Sequence, residues 1–135
     1  MVQRHAAAAR TPEELAVQLE DAFILSDPSG LAELFDEHAV LSTRAPDNDV
    51  RGRAAIALFA AAQWTAERRY LVSVRRVVQT GDTAAIVTDW SPTDRQCRNA
   101  EHDRSVDFLR RGSDGAWRYL ISLSFDLRSP AAPIR

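Results

Sequence analysis

Residues 101–125 read EHDRSVDFLRRGSDGAWRYLISLSF, two alternating runs about a four-residue break. In the first run, Glu101–Arg111, one side carries Arg104, Val106, Phe108 and Arg110. The other side carries Ser105, Asp107 and Leu109. A repeat of two residues is the pattern of a β-strand, whose side chains point alternately to opposite faces. Gly112-Ser113-Asp114-Gly115 supplies a hairpin loop. Ala116–Phe125 then returns as a strand, with Trp117, Tyr119, Ile121, Leu123 and Phe125 expected on a single face.

Working back from this hairpin, Pro92–Asn99 is polar and reads as a loop. Thr83–Ser91 is another strand, with Ala84, Ile86, Thr88 and Trp90 on one face and Ala85, Val87 and Asp89 on the other. Gly81-Asp82 turns the chain, and Tyr70–Val78 precedes it as a strand. Four sequential strands with short connections imply an antiparallel sheet.

The first half has a different period. Thr11-Pro12-Glu13-Glu14 is a helix start: Thr11 caps, Pro12 takes the first helical position, and Glu14 completes a capping box. Leu15, Leu19, Ala22 and Phe23 recur on one face as far as Ser26. Asp27-Pro28 repeats the start signal for a short helix over 28–36, with Leu31, Leu34 and Phe35 inward. Ala39–Thr43 is a first short strand. After the turn at Ala45–Asp49 and Gly52, the alanine-rich run 54–62 has high helix propensity and is expected to end near Trp64. Three helices must bury against one face of the sheet. Residues 1–10 and 128–135 read as tails around one domain over 11–127.

Composition bounds the function. The 135 residues suit a single domain. The 17 basic and 19 acidic residues give a formal net charge of -2, which argues against a nucleic-acid surface. Every basic residue is Arg, as GC-rich bacterial coding favours. A single cysteine, Cys97, leaves no intramolecular disulfide and no thiolate metal site. No run approaches a membrane span, and residues 1–10 lack the apolar core of a signal peptide, so a cytoplasmic location is expected. No His pair has metal-ligand spacing, and there is no phosphate-cradling glycine motif; neither metal nor cofactor is expected.

Three phrases carry a resemblance. Ser26–Phe35 running into Asp36–Val40, Arg51-Gly52-Arg53-Ala54-Ala55-Ile56, and Asp114–Ile121 with its Asp-Gly-x-Trp-Arg core together resemble the nuclear transport factor 2-like superfamily, in its SnoaL-like and ketosteroid-isomerase-like branches. The resemblance spans roughly residues 11–125. It implies an α+β, cystatin-like fold: a cone-shaped, curved antiparallel sheet packed against three N-terminal helices around an internal pocket. It also implies a homodimer formed through the outer sheet face. The superfamily holds isomerases, cyclases, dehydratases and epoxide hydrolases as well as members without known chemistry, so fold does not settle activity.

Where the isomerase-like members place a base after the first strand, this chain has Thr43, whose hydroxyl is not a base near neutral pH without help. Gln18 or Leu19 falls near the position of the family's helix-one tyrosine. The best acidic candidates are Asp89 and Asp107. Sharing a face, one could hold a proton while the other stays charged, and Arg75, Arg104 or Arg110 could complete a grouping like that of epoxide-hydrolase-like members. Their parity is opposite to that of Trp90 and Phe108, however, so inward aromatics would turn both carboxylates outward. His102, at the edge of the third long strand, and Tyr119 are candidates to stabilise an oxyanion. His38 reads as a helix-end histidine favoured by the helix dipole. Phe23, Trp64, Trp90, Phe108 and Tyr119 are the expected pocket lining. The expectation is a domain binding a small hydrophobic molecule without cofactor. The alternative is an acid–base enzyme acting on a polycyclic or ketone-bearing one, with Asp107 or Asp89 abstracting the proton.

Overall fold

A computed structural model describes residues 8–42, 49–63, 70–92 and 103–126. Helix α1 spans Pro12–Leu25. The Thr11 hydroxyl accepts the Glu14 N–H at 3.1 Å, as its position before a proline dictates. The Glu14 carboxylate reaches one residue further back than a capping box requires and takes the Arg10 N–H at 2.8 Å. Ser26 ends the helix in the left-handed conformation.

Helix α2, Pro28–Glu33, is shorter than its apolar spacing suggests. Phe35 already belongs to strand β1, Phe35–Ser42, which begins four residues before the expected Ala39. The physical reason is pairing. Phe35 lies opposite Tyr119 in the sheet, and the Leu34 carbonyl accepts the Tyr119 N–H at 2.9 Å. A strand partner satisfies these backbone groups and still buries Phe35. His38 therefore sits in β1 and not at a helix end, exposed and beside Glu37 at 3.5 Å. Strand β2 is the pair Val50–Arg51, and α3 is Arg53–Gln63. Gly52, between them, has φ of +87°, a conformation that side chains with a Cβ resist.

The long strands are β3 (Tyr70–Thr80), β4 (Thr83–Pro92), β5 (Asp103–Arg111) and β6 (Trp117–Asp126). The six strands form one sheet in the order β2-β1-β6-β5-β4-β3. The four long strands run antiparallel, as their short connections require. Strand β1 is parallel to β6, so the sheet is mixed and not wholly antiparallel. Strand β2, helix α3 and the other three long strands intervene between β1 and β6, which gives the chain room to return in that direction.

One face of the sheet packs on the helices. Leu15, Ala16, Leu19 and Ala22 of α1, Leu31 of α2, and Ile56 and Ala60 of α3 join Ala84, Ile86, Leu109, Trp117 and Tyr119 in a single core. Burial on this scale contributes roughly 25 cal/mol per Å² of apolar surface. Register shifts interrupt β3 between Val74 and Arg76, β6 opposite Phe108 and Leu109, and β1 between Phe35 and Val40. Extra residues of this kind bend a strand and raise its twist.

The irregularity in β6 corrects the expected facing. Leu109 pairs with Tyr119 and Phe108 with Ile121, leaving Leu120 as the additional residue. Trp117 and Tyr119 point to the helices, but beyond Leu120 the parity reverses. Ile121 turns outward, 38% exposed, and Ser122 turns inward opposite Asp107. A two-residue repeat read straight through 117–125 cannot survive one inserted residue.

Candidate functional site

Among the described residues, the buried side chains on the helix side of the sheet are mostly apolar, with a polar cluster among them. Thr88 of β4 and Ser105 and Asp107 of β5 are all buried there. Asp107 is 2% exposed. Its Oδ2 accepts the Ser105 hydroxyl at 3.1 Å, and its Oδ1 accepts the Ser122 hydroxyl at 2.5 Å. Ser105 Oγ in turn accepts the indole N–H of Trp90 at 3.0 Å. Trp90 meets the ring of Phe23 on α1 edge to face, with centroids 5.2 Å apart.

Strand geometry explains the grouping. Ser105 and Asp107 are two residues apart on one strand and so share a face. Trp90 lies one residue pair along from Thr88, which sits directly opposite Ser105. The reversal at Leu120 is what delivers Ser122 to the second carboxylate oxygen.

Burial pushes the Asp107 carboxyl up to about 6, against the opposing pull of its hydrogen bonds from Ser122 and Ser105. Both partners are neutral, and among the described residues no guanidinium or imidazole reaches it. Tyr119, also inward and buried, has its phenol driven well above its ordinary value by burial, with the Asp107 charge adding to the effect. Among the described residues nothing donates to or accepts from the Tyr119 hydroxyl. A buried polar group without a partner costs about 1–3 kcal/mol. Such an arrangement can exchange one proton near neutral pH and can donate or accept one further hydrogen bond.

Asp89 is not part of this cluster. It pairs across the strands with Arg104 on the opposite face of the sheet. Arg104 Nε donates to it at 2.8 Å, and Arg75 Nε stands 3.4 Å away. The grouping is one carboxylate between two guanidiniums, and Asp107 takes no part in it. Arg110 lies on the same outer face, paired with Asp36 at 2.7 Å. The shared Asp89–Asp107 proton is therefore ruled out by geometry.

Of the expected lining, Phe23, Trp90 and Tyr119 lie on the helix side. Phe108 does not: it is 37% exposed on the outer face, opposite Ala85 and Ile121. Trp64 and His102 lie outside the described residues, as does Thr43. The reading of the sequence missed Ser105, Ser122 and Thr88. The Ser-x-Asp spacing of 105 and 107 was a usable signal for Ser105. None existed for Ser122, because its facing depends on the inserted Leu120.

The comparisons agree with this architecture. The SnoaL-like domain family matches residues 16–120, most of the chain, and the protein belongs to that family. No curated protein matches it. Among solved structures, it is similar to a putative calcium/calmodulin-dependent protein kinase type II association domain from Thiobacillus denitrificans. That match has a TM-score of 0.78 and 17% identity, covering 90% of this chain and 99% of the other. An NTF2-like protein with a cystatin-like fold from Novosphingobium aromaticivorans matches with a TM-score of 0.73 and 21% identity, covering 88% and 82%. A ketosteroid isomerase-like protein from Erwinia carotovora atroseptica matches with a TM-score of 0.68 and 18% identity, covering 87% and 94%. At these identities the likeness is one of fold. No helix among the described residues is long and apolar enough to cross a membrane.

Proposed function

We propose that this SnoaL-like domain binds a small hydrophobic molecule in a conical pocket between its helices and the inner sheet face, with Asp107 meeting the molecule's polar end. The observation that carries this reading is the buried Asp107 carboxyl together with the buried Tyr119 hydroxyl, which feels the Asp107 charge and has no hydrogen-bond partner among the described residues. A few polar groups set into a mostly apolar, aromatic-bearing interior are what orients a ligand in such a site. The strand irregularities support a curved sheet that leaves space inside.

A second reading, cofactor-independent acid–base catalysis, is favoured by one specific feature. A carboxyl held at about 6 is matched to proton transfer near neutral pH. In that case Asp107 abstracts the proton and Tyr119 donates to the oxygen that becomes negative.

The test is a panel of aromatic ketones and lactones, screened by thermal shift and by tryptophan emission. A ligand of this site binds the native chain and loses at least tenfold in affinity (~1.4 kcal/mol) with Tyr119→Phe or Asp107→Asn. A hit indifferent to both substitutions overturns the site. Turnover that follows a group titrating near pH 6, and that disappears in Asp107→Asn while binding survives, decides for the enzyme.

The outer face supports a second copy of this chain as partner. Val78, Ala85, Phe108, Ile121 and Val40 form one cross-strand row, and Val78, Phe108 and Ile121 are exposed. Ionic groups border the row on both sides, Arg75–Asp89–Arg104 at one and Asp36–Arg110 at the other. An apolar band with a rim of both signs is complementary to itself across a two-fold axis.

A further inference from the structure

Trp90 touches both walls of the proposed site. Its ring packs against Phe23 of α1, and its N–H ends on Ser105, which is bonded to Asp107. Helix α1 is fastened to the same corner of the sheet a second time: Glu20 accepts the Val72 N–H at 2.7 Å, and Val72 lies opposite Trp90. A hydroxyl that accepts one hydrogen bond and donates another is fixed in rotation. Left alone, Ser105 could turn its proton elsewhere. With the indole N–H on its lone pair, its own proton is directed to the carboxylate, and the two bonds polarise each other in the same sense.

We infer that Trp90 is a positioning residue, which acts through Ser105 to hold the Asp107 carboxyl in its hydrogen-bonded form and carries any displacement at the Phe23–Trp90 contact to that carboxyl. The inference rests on the reading of Asp107 as the polar end of the ligand site. A molecule that parts α1 from the sheet moves the indole, frees Ser105, and leaves the carboxylate with one hydroxyl partner instead of two. The carboxyl then holds its proton more tightly. The neighbourhood contains few competing charges. Strand β4 brings Ile86, Thr88 and Trp90 to this face and β6 brings Ser122 and Tyr119. Among the described residues, Tyr119 is the other titratable group that interacts with Asp107, while the Glu20 carboxylate of α1 is engaged at Val72.

The experiment needs no ligand, so its outcome is separable from that of the binding panel. The Asp107 side-chain carbon is followed by NMR across pH 4–8 in the native chain, in Trp90→Phe and in Ser105→Ala, with Asp107→Asn to assign the signal. Ser105→Ala is expected to raise the midpoint by ~1 unit, the size of one hydrogen bond to a charged acceptor. Trp90→Phe keeps a ring against Phe23 and removes only the donor; a rise of ~0.3 unit is expected, in line with a bond that acts by polarising another. In the native chain the Trp90 indole N–H resonance should move with the same midpoint as Asp107 and stop moving in Asp107→Asn. The coincidence of the two midpoints is read in the native chain and does not depend on Trp90→Phe or Ser105→Ala folding well. An indole signal indifferent to the Asp107 titration, or a Trp90→Phe midpoint equal to the native one while Ser105→Ala shifts, overturns the proposal.

Discussion

Asp89 and Asp107 occupy matching situations in the chain: each stands in mid-strand on neighbouring antiparallel strands, flanked by alternating apolar residues. The sheet sends them to opposite faces and into opposite chemistry. Asp89, on the outer face, is held between two guanidiniums. Asp107, on the inner face, is held by two neutral hydroxyls and shut off from water. The first arrangement is a group of ion pairs that fixes the carboxylate in place. The second disfavours the charged form and leaves the proton negotiable. A carboxylate's partners and burial, more than its place in a strand, determine whether it can serve as an acid near neutral pH.

The largest effect expected from this contrast is in the pH dependence of stability. The folded Asp107 carboxyl lies at about 6 against 3.8 for the unperturbed group. The native state therefore binds the proton more tightly than the unfolded state. Stability falls as pH rises from about 4 through about 6, and ionised Asp107 costs the fold roughly 3 kcal/mol at pH 7. Denaturant titrations between pH 4.5 and 7.5 should show this decline in the native chain. In Asp107→Asn this part of the decline should be absent. An unchanged slope would mean that Asp107 is not the buried titrating group.

Asp89 should behave in the opposite way. Its removal in Asp89→Ala leaves Arg75 and Arg104 facing each other on a half-exposed surface, and a loss of only about 1 kcal/mol is expected, since water screens such pairs. The loss should shrink in 0.5 M salt. A salt-independent loss as large as that of a core residue would place Asp89 in an environment unlike the one described.

This division between the faces was only half legible in the sequence. The alternation over 103–111 put Ser105 and Asp107 together and apart from Arg104, and Thr83–Ser91 separated Asp89 from Trp90. Those are local facts, and the strands kept them. Which face of each strand met the helices was not local: Trp90 turned inward and Phe108 outward, so no single rule for the aromatics could settle the carboxylates. Phe35 looked helical because its apolar spacing suits a helix, and its pairing with Tyr119 lies 84 positions further along the chain. Leu120 carries no mark of an inserted residue, because the run 116–125 is compatible with strand throughout. The caps at Thr11 and Asp27 were readable because a helix start is a contact between residues three apart.

Tyr119→Phe sharpens the inner half of the comparison. A buried hydroxyl with no partner among the described residues is a cost to the folded state, so its removal should raise stability by about 1 kcal/mol. A clear destabilisation in thermal melts would mean that the hydroxyl already has a partner in the empty protein.

The smallest expected effect tests the outer half. Phe108 lies beside Asp107 in sequence and across the sheet from it in space, and more than a third of it is open to solvent. Threonine suits a strand nearly as well, so Phe108→Thr should change the stability of the dilute chain by no more than about 0.5 kcal/mol. The same substitution removes the largest apolar side chain of the outer row. If two copies meet there, sedimentation at rising concentration should show association in the native chain and a clear loss of it in Phe108→Thr. Association that ignores Phe108, or a native chain that stays single at every concentration, would reject the outer face as the meeting surface. A marked loss of stability in the dilute chain would be a separate failure, because it would show Phe108 packed within the fold, and the two faces would no longer differ in the way Asp89 and Asp107 imply.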